Sequence, residues 1–191
     1  RDNNMANLNT SAATIDPMLI FTSDSVPDVR GIFIIGRRAS LTISSIKSAL
    51  PHFTLDDNEC KSISAVLEYI KDAGKETTFL SDSTKLTIIV LPAADKISRN
   101  NHPFSPHKIA DSLEGLHSLA CERMVQILVI DENIEENMCP AAAAIARALP
   151  LYHSKSKHDA MHGGIAVSFH HGDGAVVSSK SSHWATAQAV A

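Results

Sequence analysis

Hydrophobic residues fall into two spacings along this chain, and the way the spacings alternate is the first clue to its fold. Leu86-Thr87-Ile88-Ile89-Val90-Leu91 is almost wholly aliphatic or β-branched and ends at Pro92, the pattern of a strand buried on both faces in the middle of a sheet. Val125-Gln126-Ile127-Leu128-Val129-Ile130 repeats that pattern. Between the two, Ile109, Leu113, Leu116 and Ala120 recur at helical spacing behind Ser105 and Pro106, which supply an N-cap and a first-turn proline. Ahead of them, Ile63, Val66, Leu67 and Ile70 predict a helix over 59–73, with Gly74 as its C-terminal stop. After the second strand, Glu135 and Glu136 stand where a helix start favours negative charge, and Met138, Ala142, Ile145 and Leu149 carry the apolar stripe to Pro150.

Strand, helix, strand, helix with short links predicts crossovers into a mostly parallel sheet with helices on both faces. The fold class expected is therefore α/β. Segments 18–22 and 31–36 read as further strands, followed by a helix over 41–50. Ile165, Val167 and Phe169 alternate with Ala166, Ser168 and His170, and Asp173-Gly174 then leads into Ala175-Val176-Val177. This predicts a hairpin at a sheet edge and hence mixed pairing. Ser181 or Ser182 can cap a final helix beginning at His183 and Trp184. Isolated helices of about two turns are marginal, so the natural chain is expected to continue past Ala191.

Composition narrows the class of protein. A chain of 191 residues that is 44% hydrophobic and 20% charged matches an average globular composition rather than that of a disordered one. Lys plus Arg number 17 against 21 Asp plus Glu, a formal net charge of −4, which lacks the basic footprint that attracts phosphate backbones. No nucleic-acid partner is expected. The apolar runs fall far short of the roughly 18 residues that a bilayer span needs, so no membrane partner is expected either. Residues 1–14 are polar, with Met5 the first methionine, and read as a disordered tail or an expression remnant. Three cysteines, Cys60, Cys121 and Cys139, show no C-x-x-C spacing, which suits reduced thiols in the cytoplasm.

Candidate chemistry is sparse. His158-Asp159-Ala160-Met161-His162 superficially resembles a zinc-binding H-E-x-x-H helix, but Gly163-Gly164 follows at once and Asp159 is shorter than the usual glutamate; a solvated loop is the better reading. His170-His171 reads as an exposed strand end. No G-x-S-x-G elbow supports a serine nucleophile, and neither G-x-G-x-x-G nor a P-loop is present. Cys121 and Cys139 read as buried thiols. An α/β sheet can still bind a ligand at the carboxyl ends of its strands. The polar segment Ser98-Arg99-Asn100-Asn101-His102-Pro103 follows one such end. It reads as a structured loop in which Arg99 could bind an anion or bridge to another subunit.

Two stretches carry a family likeness. Leu91-Pro92 followed by Ser98-Arg99-Asn100-Asn101-His102-Pro103 resembles the L-P-x(n)-S-R-[HN]-N-x-P stretch in the amino-terminal domain of the leucyl (cytosol) aminopeptidase family. Residues 144–155, Ala-Ile-Ala-Arg-Ala-Leu-Pro-Leu-Tyr-His-Ser-Lys, are similar to the A-L-A-R-A-F-P-L-F segment at a matching distance downstream. The likeness runs from about residue 85 to 191. It implies a macro-like α/β amino-terminal domain over 15–180 and, over 181–191, the start of a helix linking to a hydrolytic domain that this sequence does not contain. In that family two divalent metals, zinc, manganese or magnesium, bind an acidic constellation including N-T-D-A-E-G-R-L, and a bridging water attacks the peptide. No residue here matches that motif, so no catalytic, metal or cofactor residue is assigned to this segment. The resemblance implies a partner catalytic domain, peptide substrates for the whole enzyme and a hexamer, with Ser98, Arg99, Asn101, Pro103 and Arg147 as interface or structural-loop candidates. The alternatives are a free-standing macro-type module that binds ADP-ribose or a related nucleotide at the carboxyl ends of its strands, and an unrelated α/β interaction scaffold.

Overall fold

The computed structural model describes residues 19–24, 26, 29–70, 75–81, 84–93, 102, 104–114, 116, 119–120, 124–148 and 163–190. Among these residues six strands form one sheet: β1 (Leu19–Phe21), β2 (Gly31–Arg37), β3 (Lys75–Ser81), β4 (Thr84–Leu91), β5 (Met124–Ile130) and β6 (Gly164–His170), in the order β1-β6-β5-β2-β4-β3. Every neighbouring pair is parallel except β3 with β4. The mixed, mostly parallel α/β architecture is thus as expected, but its antiparallel strand is β3. The alternating segment 164–170 is no edge hairpin. β6 lies between β1 and β5, and the chain after it returns only through a turn and a single antiparallel bridge, His170 to Val176. All seven β6 residues are buried.

Among the described residues, the sheet is accompanied by helices α1 (Ile43–Ala49), α2 (Asp57–Tyr69), α3 (Pro106–Ser112), α4 (Ile134–Ala148) and α5 (Ser182–Val190). Helix α1 starts at Thr42 and α2 at Asp56, each with a reciprocal capping box, to Ser45 and Glu59 respectively. The Asp56-x-x-Glu59 box satisfies two otherwise orphaned backbone donors and sets the start of α2 two residues ahead of the position that apolar spacing indicated. Its C-cap is Ile70; Gly74 lies outside the described residues. Ser105 does precede α3, with Pro106 in the first turn, but its backbone is left-handed (φ 48°) and its hydroxyl makes no capping bond.

Because side chains alternate across a strand, the sheet has two faces of different character. On one, Phe33, Ile35, Val125, Val129, Val167 and Phe169 pack against α3, α4 and α5. The alanine run 141–144 favours helix and presents small side chains that let α4 lie close to the strands. Helix α5 docks here: Trp184 meets Phe169 edge to face with ring centroids 5.7 Å apart, and Trp184 and Ala187 are buried. Ser181 caps the helix, its Oγ accepting the Trp184 N–H at 3.1 Å. Docking supplies the stability that two to three isolated turns lack. On the other face, α1 and α2 cover Ile32, Ile34, Leu86, Ile88 and Val90, which belong to β2 and β4.

Candidate functional site

Two buried polar constellations stand out against this aliphatic framework. The first lies at the carboxyl ends of the adjacent strands β2 and β5. Asp131, 1% exposed, accepts hydrogen bonds from Asn137 Nδ2 (2.6 Å) and Ser40 Oγ (3.4 Å) and faces the Arg37 guanidinium at 3.5 Å. Ser40 Oγ in turn accepts the Glu132 N–H (3.2 Å), and the Arg37 guanidinium carbon sits 5.6 Å from the centre of the Phe104 ring. These bonds tie the β2–α1 turn to the start of α4, and they occupy both carboxylate oxygens. The cluster reads as a structural clasp, because a buried carboxylate satisfied on all sides holds its neighbours in place.

The second constellation lines a cavity of about 510 Å³ on the α1/α2 side of the sheet. Helices α1 and α2 cover β2, β4 and the carboxyl half of β5 (Leu128, Ile130), and beyond them the cavity floor is formed by Gln126, Ser168 and His170. The end of α1 and the loop after it, from Ser48 to Phe53, form one wall, and the turn after β6, from Gly174 to Val176, forms another. Gly174 makes that wall possible. Its φ is +88°, and a Cβ there would lie 2.3 Å from the Ser45 carbonyl oxygen, so only glycine lets the turn press against α1.

Within the cavity Ser168 Oγ lies 2.9 Å from His170 Nε2, and His170 Nδ1 lies 3.0 Å from the Gly174 carbonyl oxygen. A carbonyl only accepts, so Nδ1 carries the imidazole proton. Burial holds the His170 pKa below its ordinary value, with the His171 charge adding to that effect and the Gly174 bond opposing it. The ring is therefore neutral, and its Nε2 accepts the Ser168 O–H. Ser168 and His170 are two residues apart on a regular strand, not on an elbow, and the pair orients a serine oxygen toward the cavity. Gln126 is 7% exposed, and its carboxamide has no hydrogen-bond partner among the described residues. Arg30, His52 and Asp24 stand at the solvent-exposed rim.

Comparison with known proteins yields one kind of likeness. No protein-family profile matches the sequence, and no curated protein matches it. Solved structures do. An M17 aminopeptidase from Trypanosoma brucei superposes with a TM-score of 0.56 at 17% identity, over 74% of this chain and 28% of that one. A leucyl aminopeptidase from the same organism gives 0.60 at 18%, over 81% and 33%. The leucine aminopeptidase of Caenorhabditis elegans gives 0.59 at 18%, over 79% and 30%. The likeness is one of fold, and the chain spans no more than a third of the length of each of these enzymes.

Of the residues singled out from sequence, Ser98, Arg99, Asn101 and Pro103 lie outside the described residues, as do Cys121 and the His158 to His162 pair. Arg147 is exposed in the last turn of α4 and belongs to neither constellation. Cys60 and Cys139 are free and half-buried. Among the described residues no three His, Cys, Asp or Glu side chains gather as a metal site, and no helix is long and apolar enough to cross a membrane. His170 corrects the sequence reading: it is 5% exposed, not an exposed strand end, because the 174–176 turn folds over it. Gln126, Ser168 and Asp131 were missed as well. The available signal was polarity breaking an otherwise aliphatic strand, as Gln126 does between Val125 and Ile127.

Proposed function

We propose that this chain serves as the amino-terminal, non-hydrolytic domain of a leucyl-aminopeptidase-like protein. In this reading its macro-like module helps to assemble a hexamer and to control access to a hydrolytic centre on a separate catalytic domain. That domain would carry the two divalent metals, zinc, manganese or magnesium, and cleave amino-terminal residues from peptides in the cytoplasm. The observation that carries the reading is the fold itself, similar to about a third of each M17 or leucyl aminopeptidase compared. The two sequence stretches around Arg99 and Arg147 independently resemble the same family. Arg99, Asn101 and Arg147 are the contact residues this assigns, with Ser98 and Pro103 shaping the loop.

The test is made in the longer protein that carries the domain. Alanine at Arg99, Asn101 and Arg147 together is expected to shrink the particle by light scattering and to lower the peptidase rate. Unchanged size and rate would remove the assembly role. The 191-residue chain alone is expected not to hydrolyse leucyl anilide with manganese added, and metal-dependent turnover by it would overturn the non-hydrolytic assignment. A free-standing ADP-ribose module is the rival, and calorimetric titration of the chain with ADP-ribose separates the two.

A further inference from the structure

The cavity over β5 and β6 holds an amide that the fold alone does not explain. In the sheet register Ala166, Gln126, Ile32 and Leu86 form one row across β6, β5, β2 and β4. Three of the four are aliphatic. A valine or leucine at position 126 would complete that aliphatic row, whereas the glutamine amide opens into the cavity. The Gln126 carboxamide instead lines the cavity with a donor and an acceptor side by side in one plane. Ser168 adds a second polar point. Because its proton goes to the neutral His170, its oxygen offers lone pairs to whatever occupies the space.

The rest of the lining sets the shape of an occupant. Ile32, Leu50 and Phe53 supply apolar surface, and Arg30, His52 and Asp24 are at the exposed rim, where water screens the charges of Arg30 and Asp24. A volume of about 510 Å³ falls within the range of small-molecule sites, which pair apolar walls with a few convergent polar groups.

We infer that this cavity is a binding site for a small neutral molecule bearing a cis-amide (lactam) edge, paired in a two-point contact with the Gln126 carboxamide. A lactam presents N–H and C=O on the same side, the complement of a primary amide, and its ring body suits the apolar wall. A further donor on the ligand would reach Ser168 Oγ. This site is independent of the aminopeptidase reading and stands or falls without it.

Two sources share the lactam edge, pyrimidine nucleosides and cyclic dipeptides, and the experiment separates them. The 191-residue chain is titrated with uridine in one arm and with cyclo(Gly-Leu) in the other, each beside its N-methylated counterpart, while the ¹⁵N side-chain resonances of Gln126 are followed. One arm is expected to bind with a Kd below about 1 mM, to displace the Gln126 signals, and to lose at least ~10-fold in affinity on N-methylation, as loss of a buried polar pairing does. Gln126→Leu, which replaces an unpaired amide by an apolar side chain of similar length, should lose at least ~10-fold as well. Ser168→Ala provides the second variant should Gln126→Leu not fold, with a smaller loss of several-fold. Binding by neither lactam, affinity indifferent to N-methylation, or Gln126 signals that stay in place on binding would each overturn the assignment.

Discussion

The two faces of the sheet obey the same alternation but end differently. On the face under α3, α4 and α5 the inward positions are mostly apolar, and aromatic contacts finish the layer: Phe21 stacks on Phe169 at 5.8 Å, and Trp184 meets the same ring edge-on. On the opposite face the inward positions stay aliphatic only under α1 and α2. Leu128 and Ile130 of β5 still belong to that layer, and past them the positions Gln126, Ser168 and His170 are polar. Helical cover and aliphatic composition stop together. A strand position turns polar where no helix is available to bury it, and the space left open becomes a cavity with hydrogen-bonding side chains on its floor. One face is therefore closed by its helices, while the other opens at one flank into a cavity with polar side chains on its floor.

The widest gap is expected between two adjacent residues of β6. Phe169→Ala should lower unfolding free energy by about 3–5 kcal/mol, the cost of emptying a fully buried ring site. Ser168→Ala, one position along but on the cavity side, should cost less than about 1.5 kcal/mol. Urea denaturation of both measures the contrast, and equal losses would erase the distinction between the faces. At the carboxyl ends of β2 and β5, Asp131→Ala should cost about 2–3 kcal/mol, because it leaves the Arg37 guanidinium, Asn137 and Ser40 without their shared acceptor. A loss below about 0.5 kcal/mol, the range of ordinary surface changes, would show that the cluster is not a clasp.

A change of opposite sign sharpens the comparison. Gln126→Leu removes an unpaired amide from an otherwise aliphatic row and should leave stability unchanged or raise it by up to about 1 kcal/mol. A clear loss in thermal melts would mean that the amide is already satisfied without a ligand. The smallest effect is a pH dependence. Burial lowers the folded pKa of His170, so the unfolded chain takes up a proton more readily than the folded one. The stability tied to a neutral His170 is complete above the unfolded value near 6.5 and is lost as pH falls from there through the lowered folded pKa. The difference in stability between wild type and His170→Gln should shrink across that window, while the other nine of the ten histidines contribute equally to both and cancel. A difference that does not change with pH would place a solvated imidazole at this position.

Legibility in the sequence followed how local each cause was. The β4 and β5 runs are continuous aliphatic stretches, and their strands formed where the runs lie, between Thr84 and Leu91 and between Met124 and Ile130. Helix α2 was legible from Ile63, Leu67 and Ile70, and the Asp56-x-x-Glu59 box would have corrected its start, being equally local. The segment Ile-Ala-Val-Ser-Phe-His of β6 misled for a physical reason. Alternation reports that two faces differ in polarity, which fits an edge strand open to water as well as a central strand with a cavity on its polar side. The neighbours that decide between these are β1 and β5, one of them far back in the chain. The final helix shows the same limit, since Trp184 is anchored by a ring on another element.

Periodicity and capping, which act over a few residues, were enough to establish the α/β class, most strands and the helices, because hydrogen bonding within an element and the side of it that faces the core depend on neighbours in sequence. The clasp at Asp131 and the cavity floor depended on the assembled sheet. Asp131 meets Arg37 across 94 residues and Ser40 across 91, and the cavity is walled by the end of α1 and the turn after β6, which are far apart in sequence. Which polar side chain is satisfied, and which is left facing a vacant space, is a property of packing between distant segments, and only the folded chain brings those segments together.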